Sequence, residues 1–516
     1  MTTVSRPTPE PTERYDKHPG RWAALGVLVL AVLLVAVDAT VLALATPFIS
    51  EALKPSGVQL LWIGDVYSFV IAGLLVSMGS LGDRIGRKKL LLAGATAFGA
   101  ASLLNAYATS PELLIAARAL LGVAGATLMP STLALIRNIF SDPRERSLAI
   151  GIWGSSASAG AALGPLAGGF LLEHFWWGSV FLINLPVMAL LVLVGAKLLP
   201  ESKNPAPGPW DLPSVGLSLV GMIGVVYAIK NAASHGWSTQ VGVAGAVGAA
   251  ALVWFVRRQK SLAAPLIDVR LFRHRGFSAV VACDLFAVLG LTGLVFFLSQ
   301  FLQLVQGLSP LQAGIAELPA TAGAVLTGLL AGAAVRRTSV RAVISGGLAG
   351  IGVALLLLTR LEPSTGYGLL LTTLLLVGVG AGLAFTTTAD VIVSSVPKEQ
   401  AGAASAVAET AYELGAALGI AVLGSIVNGV YQGFTTPPGI SPAIAEAAHA
   451  SIGGAAEAAA SLGGADGHAL LTAAQDAFTA GLASTAAAGA VVLLATALAA
   501  WFLLKGQRQG SAADHH

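Results

Sequence analysis

The sequence predicts an all-α polytopic membrane protein: fourteen transmembrane helices arranged as two six-helix bundles plus two helices inserted between them. Three observations predict it. The 516-residue chain is 55% apolar and only 11% charged, with a mean hydropathy of +0.79, whereas a soluble domain carries about 25% charged residues. Its apolar runs recur at the length of about 20 residues that a bilayer crossing needs. Its basic residues are sorted by side: of 29 Lys and Arg, only Lys54, Lys230, Arg360 and the intraspan Arg118 fall outside the tails and alternate loops assigned to the cytoplasm.

Residues 1–20 are polar, proline-rich and mixed in charge, without the apolar core of a signal peptide, and read as a disordered cytoplasmic tail. Spans at 22–48, 57–81, 89–108, 112–138, 147–172 and 178–199 form an N-terminal bundle within residues 21–200. After the proline-rich break N-P-A-P-G-P at 204–209, the inserted segment 201–260 holds spans at 213–233 and 241–257. The C-terminal bundle, 261–505, takes 276–304, 312–334, 340–359, 367–394, 401–430 and 479–504, and 506–516 is a second tail. An even number of spans puts both termini on one side. Residues 431–478 are an extracellular segment too long for an ordinary turn; the alanine-rich middle, 444–462, is compatible with surface helix and with mobile loop alike.

The two-bundle division rests on an internal repeat. The connection F-S-D-P-R-E-R at 140–146 aligns with S-S-V-P-K-E-Q at 394–400, and residues 79–88 fall on a degenerate basic loop at 333–342 that holds Arg336, Arg337 and Arg341. The two inserted spans have no partner in this repeat.

Between the second and third spans, G-S-L-G-D-R-I-G-R-K-K-L-L at 79–91 reads as a short charged loop at the membrane surface. Gly79, Gly82 and Gly86 allow a tight turn, and Asp83 can pair with Arg84 or Arg87 or cap a neighbouring helix end. The spacing resembles the signature loop of the major facilitator superfamily, whose plan is two parallel halves facing each other about an axis along the membrane normal. These residues would form a gate on the cytoplasmic side. In the fifth span, Gly160, Gly164, Pro165, Gly168 and Gly169 compose G-x-x-x-G-P-x-x-G-G. Physically this permits a bend and a bare packing face; it also resembles the motif that this superfamily associates with exporters rather than importers. In the first span, D-A-T-V at 38–41 and A-T-P at 45–47 resemble the signature of the fourteen-span drug:proton antiporters, which include multidrug and quaternary ammonium efflux pumps. The usual A-L-P of that signature is Ala45-Thr46-Pro47 here.

Charge at mid-span costs about 3 kcal/mol and marks use. Asp38, Asp65, Arg118, Glu409 and Glu413 are therefore the candidate proton-coupling residues. Arg118 cannot shed its proton and needs water, carbonyls or a carboxylate beside it. The resemblance links that position to proton transfer, although the Gln that often follows is Leu121 here. Glu409 and Glu413 lie one turn apart on one helix face, where repulsion and burial suit the pair to carrying a proton. Asp390 reads as a helix-end charge near the cytoplasm and Glu317 as a group near the external mouth. Trp62, Tyr67, Trp153, Phe286, Phe296, Phe297 and Tyr412 are candidate cation–π partners for a flat or quaternary cation; for any one ring, core or lipid packing is the commoner role. With Asp38, Asp65, Asp284, Glu409 and Glu413 they make up the candidate substrate site.

There is no G-x-x-x-x-G-K-S/T phosphate loop to support ATP drive, and His174 and His235 stand apart, giving no metal constellation. A single cysteine, Cys283, excludes an intramolecular disulfide. No catalytic set points to an enzyme. The expected activity is proton-coupled antiport in the bacterial cytoplasmic membrane, exporting hydrophobic cationic drugs, dyes or antiseptics. A proton gradient would be its energy source, with no cofactor, no nucleic-acid partner and a monomeric state. A dedicated exporter of one endogenous antibiotic or envelope lipid, or a proton-coupled importer, would share the architecture.

Overall fold

The computed structural model describes residues 19–55, 57–204, 211–262, 265–397 and 400–505. The tail segments 1–18 and 506–516 and most of the proline-rich break lie outside the described residues. Every regular element described is helical, because a helix alone satisfies its own backbone polar groups in lipid. The N-terminal set is α1 Arg21–Leu53, α2 Gly57–Ile85, α3 Arg87–Ala106, α4 Pro111–Ile139, α5 Pro143–His174, the single turn α6 Ser179–Leu182 and α7 Asn184–Leu198. The inserted pair is α8 Leu212–His235 and α9 Thr239–Ser261. The C-terminal set is α10 Arg275–Gln300, α11 Pro310–Arg337, α12 Val340–Leu358, α13 Tyr367–Ser394, α14 Ala401–Tyr431, the short α15 Pro442–Ala450 and α16 Ile452–Leu462, and α17 Gly464–Leu503.

Several helix starts are written in the sequence as a cap followed by proline. Ser110, Asp142 and Ser309 each precede a proline at the first helical position, and each side chain accepts a backbone N–H of the first turn. Ser309 and Gln312 complete a reciprocal capping box.

Among the described residues, thirteen helical stretches are long and apolar enough to cross a membrane, α6 and α7 together making one of them. The fourteenth predicted span is α5, whose 32 residues are ample in length but diluted by glycine and serine. Three further expectations meet the structure, and one of them is corrected. The sixth span stands as one stretch, Ser179–Leu198, with its hydrogen-bond ladder interrupted at Ile183 because Pro186 has no N–H to donate. The stretch 79–91 is not a loop: α2 runs through Ile85 and α3 begins at Arg87, so one residue, Gly86 at φ 116°, makes the whole turn. The external segment is largely helical, comprising α15, α16 and the first turns of α17, and is tied back by the Tyr431 hydroxyl, which donates to Ala448 O at 2.7 Å.

Helix partners repeat between the two sets. In the first, α1 packs on α5 and α7, α2 on α4, and α3 on α4 and α7; in the second, α10 packs on α14 and α17, α11 on α13, and α12 on α13 and α17. The bundles meet along two seams, α2 with α14 and α5 with α11. The inserted α8 lies over the first seam, packing on both α2 and α14, while α9 packs on α8 and stands outermost.

Candidate functional site

In the N-terminal bundle, five helices converge on one buried acid. Asp38 of α1 is 5% exposed and Arg118 of α4 is 2% exposed; their facing atoms, Oδ2 and Nη1, stand 3.5 Å apart. Arg118 Nε donates to the Ile63 carbonyl of α2 at 3.2 Å, and its guanidinium lies 4.8 Å from the Tyr67 ring centroid. Asn184 of α7 donates to Asp38 Oδ1 and to Ser102 Oγ of α3, each at 3.0 Å. The Arg thus has the carboxylate, the carbonyl and the ring that its permanent charge requires. Asp38 Oδ2 and Arg118 Nη1 nevertheless have no hydrogen-bond partner among the described residues. It is an ion pair held short of a sealed one.

The glycines of α5 explain how α1 comes to stand there. A side chain on Gly160 would meet the Leu33 carbonyl and Ala36, and one on Gly164 would run into Thr40 Oγ1 and Val37 O. The bare face of α5 therefore carries the segment of α1 that flanks Asp38. Gly168 is buried, and Gly169 faces open space; the side chain of Pro165 lies outside the described residues.

The C-terminal bundle holds the second group of acids. Glu409 and Glu413 of α14 lie within electrostatic range of one another, Glu409 also reaches Asp284 of α10, and Tyr412 feels all three. Asp284 accepts from the Thr388 hydroxyl of α13 at 2.9 Å. Tyr67 lies on the face of α2 that meets Arg118 of α4, and α14, which carries Glu413, packs on both of these helices.

The side of the molecule that carries the basic connections is closed by bonds between the bundles. Asp83 accepts from the backbone N–H of Gly402 at 3.1 Å and of Ala403 at 3.2 Å, at the N-terminus of α14. The same carboxylate takes Arg87 Nε and Nη2 at 2.8 and 2.6 Å, so both roles expected of it are filled together. Gly79 lies against the Gly402 carbonyl, leaving no room for a side chain, whereas Arg84 is half-exposed. Asp390, one turn from the end of α13, is not an exposed charge: it is 1% exposed and paired with Arg146 of α5 at 3.2 Å, across the bundles. On the second seam a side chain at Gly151 would meet the Gly328 carbonyl, and one at Gly332 would meet Ser147.

Not every candidate joins these groups. Trp153 is buried, its indole N–H donating to Thr132 Oγ1 at 3.1 Å. Phe297 packs on Phe478 in the C-terminal core. Tyr67 serves Arg118 rather than standing open to a ligand, and Trp62 belongs to an aromatic trio with Phe69 and Tyr227 of the inserted α8. Phe286 and Tyr412 are exposed, at 40% and 47%. The side chains of Asp65 and Phe296 lie outside the described residues. Glu317 of α11 is half-buried, with its Oε1 lacking a hydrogen-bond partner among the described residues. Asn184, Ser102, Thr388 and the Arg146–Asp390 pair are the additions that sequence reasoning missed; an Asn inside an apolar run was the one visible signal.

The model of the Major Facilitator Superfamily matches residues 28–420. The chain is 46% identical to "Multidrug efflux pump LfrA" of Mycolicibacterium smegmatis, over 96% of this chain and 98% of that protein. It is 38% identical to "Methyl viologen resistance protein SmvA" of Salmonella typhimurium, over 95% and 99%, and 36% identical to "Puromycin resistance protein pur8" of Streptomyces alboniger, over 82% and 85%. Among solved structures, the human organic anion transporter MFSD10 superposes with a TM-score of 0.57 at 16% identity, covering 94% of this chain and all of that one, a likeness of fold alone.

Proposed function

The chain belongs to the Major Facilitator Superfamily and is a multi-pass membrane transporter rather than an enzyme, and from that premise we propose that it is a proton-coupled antiporter exporting lipophilic cations from the bacterial cytoplasm or inner leaflet. The observation that carries the reading is the Asp38–Arg118 pair, buried between two membrane-spanning helices with its facing atoms otherwise unpartnered. A carboxylate that is paid for in oil but left short of a sealed bond can exchange its counter-charge: a proton in one state, a cationic passenger in the other. Glu409, Glu413 and Asp284 offer the same exchange in the opposite bundle, and binding of one ligand lowers affinity for the other. The basic side is cytoplasmic, both termini lie there, and closure by Asp83 and Arg146 corresponds to the outward-facing state. The cycle uses the proton gradient, needs no cofactor or nucleic acid, and is run by a monomer.

Reconstituted liposomes with an imposed pH gradient test the reading. Ethidium should move against its own gradient while protons run down theirs, and a protonophore should abolish the movement. Transport indifferent to the pH gradient would overturn the reading. A second reading, export of one self-made antibiotic, draws on relatives named for puromycin resistance and as a "Probable actinorhodin transporter"; a broad substrate panel separates the two.

A further inference from the structure

Tyr67 is 4% exposed, yet its hydroxyl has no hydrogen-bond partner among the described residues. A buried phenol left unsatisfied costs about 1–3 kcal/mol, which phenylalanine of the same shape would avoid. The surroundings are cut to fit it. On α4, a side chain at Gly125 would come within 3.2 Å of the Tyr67 hydroxyl oxygen and one at Gly122 within 2.8 Å of its carbonyl, so two bare positions of α4 receive this residue. The Arg118 guanidinium then fixes the ring from its face. Three polar atoms in this neighbourhood lack a protein partner: Tyr67 Oη, Asp38 Oδ2 and Arg118 Nη1. The charged groups within reach of the phenol are Asp38 of α1, Arg118 of α4 and, from the other bundle, Glu413 of α14; the inserted α8 presents Tyr227 to its neighbours Trp62 and Phe69. The side chains of Asp65 on its own helix and of Lys230 on α8 lie outside the described residues.

We propose that the Tyr67 hydroxyl is a proton relay between the two bundles, joining Glu413 on one side to Asp38 on the other. The step is a concerted hop relayed by water on each side, because the Tyr67 hydroxyl hydrogen-bonds to neither acid here. The O–H bond of a protonated Glu413 breaks as that proton enters the water chain, a proton from the chain forms a new bond at Tyr67 Oη, and the phenol's original proton passes on through water to Asp38 Oδ2. The phenol is neutral before and after, Glu413 gains the negative charge that Asp38 loses, and no other reactant is needed. The relay rests on the proton-coupled reading above and adds that the acids of the two bundles act as one connected set.

Tyr67→Phe keeps the ring under Arg118 and removes only the hydroxyl. In the full-length protein it should bind tetraphenylphosphonium with little change at fixed pH, while pH-driven ethidium efflux from liposomes falls by about tenfold or more. Efflux equal to wild type in Tyr67→Phe, with the wild type responding to the gradient, would overturn the relay and leave the antiport reading standing; a wild type indifferent to the gradient would bring down both. Should Tyr67→Phe fail to fold, 3,5-difluorotyrosine at position 67 retains the shape and acidifies the phenol. The relay requires its pH-driven efflux rate to differ from that of wild type while tetraphenylphosphonium binding stays the same, and an unchanged rate would refute it.

Discussion

Asp38→Asn leaves an amide that can still bond Asn184 but strands the Arg118 guanidinium, 2% exposed, without its counter-charge. Removing one partner of a buried pair costs about 3 kcal/mol, so the variant should insert in the membrane, melt earlier in detergent and export nothing. Normal proton-coupled efflux in cells carrying it would remove Asp38 from the mechanism. Away from the membrane core, Arg258 clamps Asp211 at the start of α8 and holds its carboxyl below the ordinary range near 3.8. A depressed carboxyl stabilises the fold while ionised, so the contribution is present above that ordinary value and is lost as pH falls through the lower folded one. Hydrogen-exchange protection in the first turn of α8, taken relative to the intrinsic rate at each pH, should be steady from about pH 8 to about pH 5 and fall only in stronger acid; in Arg258→Ala it should be low throughout. Asp38, Arg118 and Glu409 were legible in the sequence because charge in an apolar run has no cheap explanation. Asn184 and Thr388 were not, since neutral polar side chains are tolerated in membrane helices and only the fold reveals which acid they serve.

Among the elements, α5 is the one whose composition is explained by what it touches. Gly164→Ala should press on Thr40 Oγ1 and displace the part of α1 that holds Asp38, cutting efflux by about tenfold, the effect of roughly 1.4 kcal/mol, without loss of expression. Combining it with Thr40→Ala, which clears that oxygen, should restore much of the activity; a double variant no better than the single one would show that the α1–α5 contact is not the cause. The starts of α4, α5 and α11 carry a local signal, a capping side chain directly before proline, that apolar span length alone does not use. The joint at Gly86 was not legible, because the charges of 79–91 mark a membrane surface and say nothing about whether the backbone there stays helical. The π-helical turn at Phe301–Val305 was equally hidden, its carbonyls at Leu304 and Val305 being satisfied from α17 by Gln475.

For the whole molecule, closure of the basic side is a sum of small contacts: the Asp83 carboxylate on the N-terminus of α14, Arg146 on Asp390, and bare glycine backbones on both seams. Spin labels at the exposed Lys89 and Gln400 should report one short distance, and Asp83→Asn should shift the population toward a longer one. An unchanged distribution would mean that the Asp83 contact does not hold the closed state. The repeat at 140–146 and 394–400 made the pair of bundles legible, but the way α8 covers the α2–α14 seam depends on contacts such as Ser218 Oγ with Gly73 O, which no internal repeat encodes. The central claim, that buried acids trade protons for a cation, is tested most directly by titrating tetraphenylphosphonium into the purified protein in weak buffer with a pH-sensitive dye. The account predicts proton release on binding, diminished in Glu409→Gln with Glu413→Gln; saturable binding with no proton released at any pH between about 6 and 8 would contradict it.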